Sequence, residues 1–446
     1  MRTIDKNCFI LFIGDKMRKS IFINVGFLAV SNILVRILGM VYKVWLAKEI
    51  SPVALGIYQL AMSVYGVFIV PVATGLPNAT NRLCAKYASK NQEKGVLAGA
   101  ISIGIIPAVI SSLILFLGKD FIANTFLHSP SASKVVLALI PAVSFGALAS
   151  IYAGYLHAKG KSICPAAFEI IEQIGKIAFA IILVRLFVKT EDASQAALPA
   201  LAVGFGGIVS FCLMSLACGK IDFKQAAHKR ELLENAYPPT LARLGTSLLH
   251  LCTTTILPIC LVHYGLSEET ALSQYGILTS MAYPVVFVPM TVISAMCVVI
   301  LPEIARNLKS VKIIKKKFVL SLLVSFGITA VFSVLLILFG PYFAKEVFNQ
   351  PLAGKFMVML VPSVIFLGLS HMCRTTLNGI GKQKTLMVTS IIDGAFGVIL
   401  TFLLARKFGI YGFVMGNCIQ DALAFLINFS LCISYFRKEK KITKAL

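Results

Sequence analysis

Twelve long apolar stretches constrain the fold of this chain more than any other feature of its sequence. A hydrocarbon layer about 30 Å thick requires about 20 apolar residues in each helix that crosses it, and an open sheet cannot satisfy its backbone in lipid. The sequence therefore predicts twelve membrane-spanning helices. They cover approximately residues 21–47, 53–79, 95–118, 135–157, 163–187, 197–218, 240–264, 272–301, 318–340, 356–378, 385–405 and 410–436.

The composition excludes a water-soluble fold. Hydrophobic residues make up 58% of the 446 positions and charged residues only 14%, whereas a soluble domain carries about 25% charged residues. The formal net charge of +23 is compatible with nucleic-acid binding or with the charge asymmetry of a membrane protein. The positions of the basic residues along the chain distinguish the two. When alternate connections are assigned to the cytoplasm, beginning with the N-terminus, 28 of the 42 Lys and Arg residues lie inside and 8 outside. This asymmetry is a topology signal.

The basic residues therefore indicate a multi-pass membrane protein with both termini in the cytoplasm. Their densest cluster, Lys312 with Lys315, Lys316 and Lys317, is typical of a surface that faces anionic headgroups. We expect membrane lipids as partners and no nucleic acid.

Part of the sequence occurs twice. Residues 141–187 align with residues 362–408 at a shift of 221 positions, with 12 of 47 pairs identical, and residues 65–71 resemble 283–289. Duplicated halves that meet along a central seam are the usual architecture of an alternating-access transporter, with the substrate site at that seam. Because each half has six spans, both halves enter the membrane in the same orientation, and the sequence predicts a pseudo-two-fold axis along the membrane normal.

This duplication predicts five regions along the chain. They are a cytoplasmic N-terminal segment at 1–19, an N-lobe at 20–218, a cytoplasmic linker at 219–239, a C-lobe at 240–436 and a basic cytoplasmic tail at 437–446. Within the linker we expect a short amphipathic helix, and Pro238 and Pro239 predict the start of span 7.

Several function classes are disfavoured. The outward loops are short, which argues against an enzyme acting outside the membrane, and the sequence contains no GxxxxGK[ST] phosphate loop. None of the eleven cysteines forms a CxxC pair or a His-spaced cluster, so we expect no metal site and no bound cofactor.

Polar residues inside the spans carry most of the functional information, because each costs about 2.5–3.5 kcal/mol at mid-membrane unless it faces protein or water. Spans 1 and 7 each place four such positions within an arc of roughly 60° at 100° per residue. The two stripes consist of Asn32, Arg36, Gly39 and Lys43, and of Arg243, Ser247, His250 and Thr254. Span 10 adds Ser363, Ser370 and Arg374. We predict that Asn32, Arg36, Lys43, Arg243, His250 and Arg374 bind the substrate.

Acidic residues occur on other spans. Span 5 places Glu169 and Glu172 on one face with Gln173 and Lys176, span 11 has Asp393, and span 12 has Asp421. One interpretation is that these acids neutralise buried Lys or Arg and hold helices together. The other is that Glu169, Glu172, Asp393 and Asp421 couple transport to H+ or Na+, and both remain open at this point.

A two-lobed cavity lined by Arg and Lys suits an anionic head group, because a guanidinium forms paired hydrogen bonds with phosphate oxygens. Extrusion of drug cations would require the opposite lining. The predicted cargo is a phosphate-bearing amphipathic molecule whose polar head enters the cavity while its tail stays in lipid.

Several motifs resemble one known family. They are NILVRILGMVYKVWLAK at 32–48, LGIY at 55–58, GLP at 75–77, NR at 81–82, AKY at 85–87 and LPEIA at 301–305. Together they resemble the oligosaccharide flippases, especially the stage V sporulation protein B branch, in the superfamily that also holds the multidrug and toxin extruders and the lipid II flippases. This resemblance implies a V-shaped, two-lobed helical fold and movement of undecaprenyl-linked sugars or peptidoglycan precursor from the inner to the outer leaflet.

The resemblance extends to one site residue and has two departures. Arg36 matches the first arginine of the opening motif of the family. Lipid II flippases have a further arginine in span 2, where this chain has none, and the sporulation branch usually has fourteen spans rather than twelve. The resulting hypothesis is a transporter, not an enzyme, that moves a lipid-linked sugar alongside cell-wall or spore-envelope synthesis proteins. The alternatives are a cation-coupled multidrug exporter and a non-transporting membrane scaffold.

Overall fold

The computed structural model describes residues 30–127, 129–130, 132–187, 192–308 and 310–445, and nearly all of them are helical. No strand occurs within these ranges. The predicted segment 1–19 and the start of span 1 lie outside the described residues. The predicted fold class, an all-α polytopic membrane protein, is confirmed.

The N-terminal half forms nine helices within its described part. They are α1 Val30–Glu49, α2 Pro52–Phe68, α3 Val70–Ala73, α4 Gly75–Tyr87, α5 Glu93–Phe121, α6 Ala132–Pro141, α7 Ala147–Ala158, α8 Ile163–Phe187 and α9 Asp192–Cys218. Wide π-helical turns at Ile122–Phe126 and Ala142–Gly146 continue α5 and join α6 to α7.

The C-terminal half forms eight helices within its described part. They are α10 Lys229–His263, α11 Glu268–Gly276, α12 Tyr283–Val286, α13 Pro289–Arg306, α14 Val311–Phe348, α15 Pro351–Met359, α16 Val361–Gly379 and α17 Gln383–Ala445. A π-helical turn at Ile277–Ala282 joins α11 to α12. Gly409, at φ 60°, divides α17 into two arms.

These helices account for the predicted spans. Among the described residues, eight helices are long and apolar enough to cross a membrane, and the number is ten when two bent pairs each count as one span. The helix α8 coincides with predicted span 5 but is not among these helices. It carries Glu169, Glu172, Lys176 and Arg185 and is therefore more charged. The two arms of α17 correspond to spans 11 and 12. They run antiparallel, as the contacts of Gly412 with Leu404 and of Gly416 with Leu400 show.

Prolines mark the bends. The axis bends by 49° between α2 and the segment that contains α3 and α4, and by 47° between α15 and α16. Pro71 and Pro362 lie at these breaks. A proline in a helix removes a backbone hydrogen bond and clashes with the preceding turn, so each bend has a local cause.

The repeated sequence produces the same turn twice. Gly160 follows α7 at φ +71°, and Gly381 follows α16 at φ +81°, a region that is costly for residues with a Cβ. The amide of the next residue, Lys161 or Lys382, donates to the carbonyl five residues before it at 3.0 and 2.9 Å. The duplication inferred from sequence is therefore also present in the backbone.

The apolar core shows how the lobes meet. In the N-lobe, α9 packs against α2, α6, α7 and α8, and in the C-lobe α16 packs against α13, α14 and α17. On the side of the molecule away from the linker, one cluster of buried side chains runs through both lobes, from Leu60 and Leu139 to Leu278 and Phe356. On the linker side each lobe has its own cluster, around Leu83 in the N-lobe and Phe318 in the C-lobe. The lobes are thus joined at one end and separate at the other.

The helix α10 begins at Lys229 and runs through Pro238 and Pro239, the predicted start of span 7. The first turns of α10 pack on the N-lobe, where Leu232 and Ala236 are buried. Both prolines are exposed, so water can reach the carbonyls whose helical partners they remove. The expected amphipathic helix of the linker is therefore continuous with the span.

Candidate functional site

A cavity of about 1850 Å³ lies between the two lobes. Its volume exceeds the roughly 300–1,000 Å³ of a pocket for a drug-sized ligand. The walls come from α1, α2 and α8 of the N-lobe and from α10, the segment α11–α13, α16 and α17 of the C-lobe. This is the seam at which the repeat predicts a substrate site.

The N-lobe wall carries most of the predicted stripe of span 1. Arg36, Gly39 and Lys43 line the cavity, and Arg36 Nη1 donates to Ser294 Oγ of α13 at 2.9 Å. The hydroxyl orients the guanidinium but leaves its charge uncompensated. The wall also includes Glu172, Gln173 and Lys176 of α8.

The C-lobe wall carries the whole stripe predicted in span 7. The structure brings all four of its residues to the cavity: Arg243, Ser247, His250 and Thr254. Arg374 of α16 also lines the cavity, and its Nη2 donates to Ser390 Oγ at 2.6 Å. Asp393 lies on the first arm of α17 beside it.

The lining has a net positive charge. Six Lys or Arg residues and two carboxylates contribute to it: Arg36, Lys43, Lys176, Arg243, Arg374 and Lys384, with Glu172 and Asp393. Among the described residues the ion pairs lie near helix ends, and Glu172 and Lys176 do not form one. An excess of cations in a site with low-dielectric walls attracts anions, so this cavity suits a ligand with more than one negative charge.

Three predicted site residues lie outside the cavity lining. Asn32 and Glu169 are on α1 and α8, closer to the linker side than the lining residues of those helices. Asp421 lies inside the C-lobe, where Ser363 donates a hydrogen bond to its carboxylate. Its neighbour Gln420 does line the cavity, and Gln420 Nε2 donates to the backbone carbonyl of Asp393 at 3.1 Å.

Sequence analysis missed several polar residues of the cavity. Gln59 Nε2 donates to Ser280 Oγ at 3.1 Å across the lobes. The Tyr283 hydroxyl accepts from Nδ2 of Asn417, one of the polar residues that periodicity aligns in span 12, at 2.5 Å. Lys384 lies in the predicted connection between spans 10 and 11. Tyr283 opens the segment that resembles residues 65–71, so the repeat was the available signal.

The cavity is closed on the side away from the linker. There α2 packs against α11 with backbones in direct contact: a Cβ added to Gly56 would lie 2.2 Å from the Leu272 carbonyl oxygen, and one on Gly276 would lie 2.0 Å from that of Pro52. The lining at this end is also buried, with Tyr58 8% and Tyr275 2% exposed. Solvent therefore has no direct route in from this side.

On the linker side the cavity is open. Its lining reaches Pro238, Pro239 and Lys384, which are all exposed. Hydrogen bonds connect α4 to the start of α10 on this side. Lys86 Nζ and the Tyr87 hydroxyl donate to the Glu231 carboxylate at 2.5 and 2.8 Å. These contacts hold the start of α10 on the N-lobe beside the open mouth.

A second charged contact ties two N-lobe helices at the same side. Lys159, in the turn after α7, donates to Glu93 of α5 at 2.8 Å. This hydrogen bond raises the pKa of Lys159 above its usual value.

Comparison with known proteins places the chain in a family. The model of the family described as polysaccharide biosynthesis protein matches residues 21–308, well over half of the sequence. The chain belongs to this family. A second model, MatE, matches residues 245–403, so the C-lobe also has the features of that group.

Two relatives of this polysaccharide biosynthesis family member come from Bacillus subtilis (strain 168). Stage V sporulation protein B is 22% identical over 402 residues, which cover 85% of this chain and 77% of the relative. Lipid II flippase MurJ is 22% identical over 441 residues, which cover 90% of this chain and 80% of the relative.

Solved structures confirm the MATE-like two-lobed fold. The inward-facing conformation of a multidrug resistance MATE family transporter of the MOP superfamily matches with a TM-score of 0.73 at 13% identity, covering 93% of this chain and 99% of that one. An outward-facing conformation matches with a TM-score of 0.64 at 15% identity, covering 93% and 96%.

Proposed function

We propose that this protein is an alternating-access flippase for a lipid-linked oligosaccharide or peptidoglycan precursor of the undecaprenyl pyrophosphate type. It moves the lipid from the inner to the outer leaflet in polysaccharide, cell-wall or spore-cortex biosynthesis. The observation that carries the proposal is the large, positively charged cavity between the lobes. The relatives, a sporulation protein and a lipid II flippase, support the same cargo class.

In this proposal the cationic residues of both walls bind the pyrophosphate. Arg36 and Arg374 each donate a hydrogen bond to a serine hydroxyl. Asp393 lies beside Arg374, so the charge of Arg36 in particular remains available to phosphate oxygens. Each guanidinium can form paired hydrogen bonds with phosphate. Lys43 and Arg243 add charge, His250 adds a polar contact to the head group, and Asn32 lies toward the entrance.

The proposed orientation places the linker side in the cytoplasm. The excess of Lys and Arg on that side supports it, because such residues favour the cytoplasmic face. Both termini are then cytoplasmic, in a bacterial cytoplasmic membrane, and the cavity opens toward the leaflet in which lipid-linked precursors are made. Closure of the linker side and separation of the other end would release the cargo outward.

Transport against a gradient needs an energy source, and we propose coupling to H+ or Na+. Asp393 and Glu172 contact the cavity and could exchange an ion with it, whereas Asp421 and Glu169 would have to act from beyond its lining. Asp421 accepts a hydrogen bond from Ser363. Its neighbour in sequence, Gln420, lines the cavity, so Asp421 lies one residue from the cavity wall. Charged residues within a membrane protein often mark ion pathways.

The test is a translocation assay in proteoliposomes with a defined undecaprenyl pyrophosphate sugar. We expect Arg36→Ala to lower the initial rate at least about tenfold, since a charge-assisted hydrogen bond contributes about 1.5–3 kcal/mol. The matched control is Arg185→Ala, which removes an exposed arginine near the end of α8, outside the cavity lining. Equal rates for the two variants would remove the proposed role of Arg36.

A cation-coupled multidrug exporter is the second candidate. The MatE match and the similarity to a multidrug MATE transporter favour it, whereas the positive lining disfavours cationic drugs. Ethidium efflux driven by an imposed H+ or Na+ gradient, with no translocation of the lipid-linked sugar, would establish this function instead.

A further inference from the structure

A second cavity, of about 660 Å³, lies on the side of the molecule away from the linker. Its walls are the end of α10, the start of α11 and the first arm of α17 in the C-lobe, and Leu127 of the N-lobe. The cargo cavity opens at the other end, so the two are separate. The volume lies within the range of small-molecule sites, roughly 300–1,000 Å³.

The body of this second cavity is apolar and reaches the lipid-facing surface. Ile259 and Val262 are each 40% exposed and Phe402 is 44% exposed, and all three line the cavity. In a membrane protein such surface contacts acyl chains. One side of the cavity is therefore suited to a hydrocarbon tail.

The other side is charged. The Arg406 guanidinium lies 5.0 Å from the centre of the Phe402 ring and donates to Nε2 of His263. A guanidinium has five N–H donors, so most of them remain for a ligand. Arg406 lies three residues before Gly409, where α17 reverses, and this position is near the end of a span, where phospholipid headgroups lie.

An acid in the same cavity restricts the ligand further. Glu268 lines it together with Arg406, and neither residue takes part in an ion pair among the described residues. Two opposite charges that share a cavity without pairing fit a ligand that itself carries both signs. Glu268 also lies in the first turn of α11, where the helix dipole favours an acid whether or not a ligand is bound. A separate variant at Glu268 therefore tests whether this carboxylate contacts the ligand.

We propose that this cavity binds a phospholipid of the phosphatidylethanolamine type from the leaflet on this side. The phosphate would contact Arg406 and His263, the primary ammonium would contact Glu268, and an acyl chain would lie along Ile259 and Val262. This proposal does not depend on the cargo of the central cavity.

The site has a conformational consequence. Leu127 belongs to the N-lobe and the remaining lining residues belong to the C-lobe. Separation of the lobes on this side would therefore move one wall away. Lipid bound here stabilises the conformation in which this side is closed, because a ligand favours the state that binds it better.

The experiment measures lipid binding to the purified full-length protein by native mass spectrometry, with thermal unfolding as a second readout. The probes are phosphatidylethanolamine, phosphatidylcholine, phosphatidylglycerol and diacylglycerol with identical acyl chains. We expect phosphatidylethanolamine to bind about tenfold more tightly than phosphatidylcholine or phosphatidylglycerol. The quaternary ammonium of phosphatidylcholine has no N–H to donate to Glu268, and phosphatidylglycerol has no cation. Diacylglycerol, which lacks the phosphate, should bind most weakly.

Two variants assign the contacts. Arg406→Gln should weaken phosphatidylethanolamine binding about tenfold, whereas Glu268→Gln should remove the preference for phosphatidylethanolamine over phosphatidylglycerol. Arg185→Gln is the control, because Arg185 is the counterpart of Arg406 in the repeat and lies outside this cavity. If Arg406→Gln does not fold, Arg406→Lys keeps the charge without the planar fork and should show intermediate affinity.

Equal affinity for the four lipids would overturn the proposal, as would equal binding by Arg406→Gln and Arg185→Gln. A preference for phosphatidylglycerol that survives Glu268→Gln would mean a purely anionic lipid and would exclude the proposed amine contact.

Discussion

The two ends of the central cavity are built differently. Away from the linker, the lobes share one apolar core, and α2 and α11 touch through the backbones at Gly56 and Gly276. On the linker side each lobe has its own core. The contacts between α4 and α10 there are polar and at least partly exposed, with Glu231 accepting from Lys86 and Tyr87.

This difference indicates which step of a transport cycle is restricted by packing. The closed end depends on close contact between surfaces that have no room for an added methyl group, so it is sensitive to shape. The charged contacts on the linker side can be replaced by water at little cost, because exposed ion pairs contribute little to stability. We therefore expect the largest effects of substitution at the closed end.

The largest effect is predicted for Gly276→Ala. A Cβ at this position would lie 2.0 Å from the Pro52 carbonyl oxygen, and backbone atoms cannot move aside cheaply. Overpacking costs about 2 kcal/mol, which lowers the population of this closed state about thirtyfold. The measurement is the labelling rate of a single cysteine introduced next to Tyr58, together with the transport rate.

Gly245→Ala is the matched control for that experiment, because Gly245 is also helical and a Cβ there would meet nothing within 4 Å. Labelling of the Gly276→Ala protein at the rate of the control would show that close packing does not seal this end.

A smaller effect is predicted for Gly409→Ala, compared with Gly381→Ala. Both glycines have positive φ, at 60° and 81°, where a residue with a Cβ is strained, and Gly409, with ψ −146°, lies in a region that essentially only glycine occupies. Only at Gly409, away from the linker, would the added Cβ also approach the Tyr264 ring, at 3.0 Å. Thermal unfolding should therefore show a larger loss of stability for Gly409→Ala, and equal losses would contradict the tighter packing inferred for this end.

The smallest effect is predicted for Glu231→Gln. It weakens the contacts to Lys86 and Tyr87, but Lys86 is exposed and Glu231 is only half-buried, so water and salt screen this pair. We expect no measurable change in unfolding temperature at either low or high ionic strength. A fall comparable with that of Gly276→Ala would mean that the linker contacts, rather than apolar packing, join the lobes.

Much of the fold was predictable because the membrane restricts the possible structures. Span 5 is predicted at 163–187, which are the bounds of α8, and the turns at Gly160 and Gly381 occupy equivalent positions of the repeat. The start of α10 was not predictable from its prolines, because packing of Leu232 and Ala236 on the N-lobe maintains the helix there.

The candidate site was predictable by helix face but not by depth or neighbour. Periodicity identified the stripe from Arg243 to Thr254, and all of it lines the cavity. It could not separate Gln420, which lines the cavity, from Asp421, which faces Ser363 within the lobe. That distinction depends on which helices pack together, and a single sequence does not contain this information in its spacing.

The serine partners of Arg36 and Arg374 have a consequence for the resting protein. Hydroxyl groups place these guanidinium groups, and the two carboxylates of the lining, Glu172 and Asp393, are fewer than its six Lys and Arg residues. Mobile anions from the surrounding solution therefore balance the remaining charge of an empty chamber. Loading then resembles ion exchange, in which the arriving pyrophosphate displaces those anions. We expect the apparent affinity for cargo to fall as ionic strength rises, and an affinity independent of salt would show that the charge is already balanced within the protein.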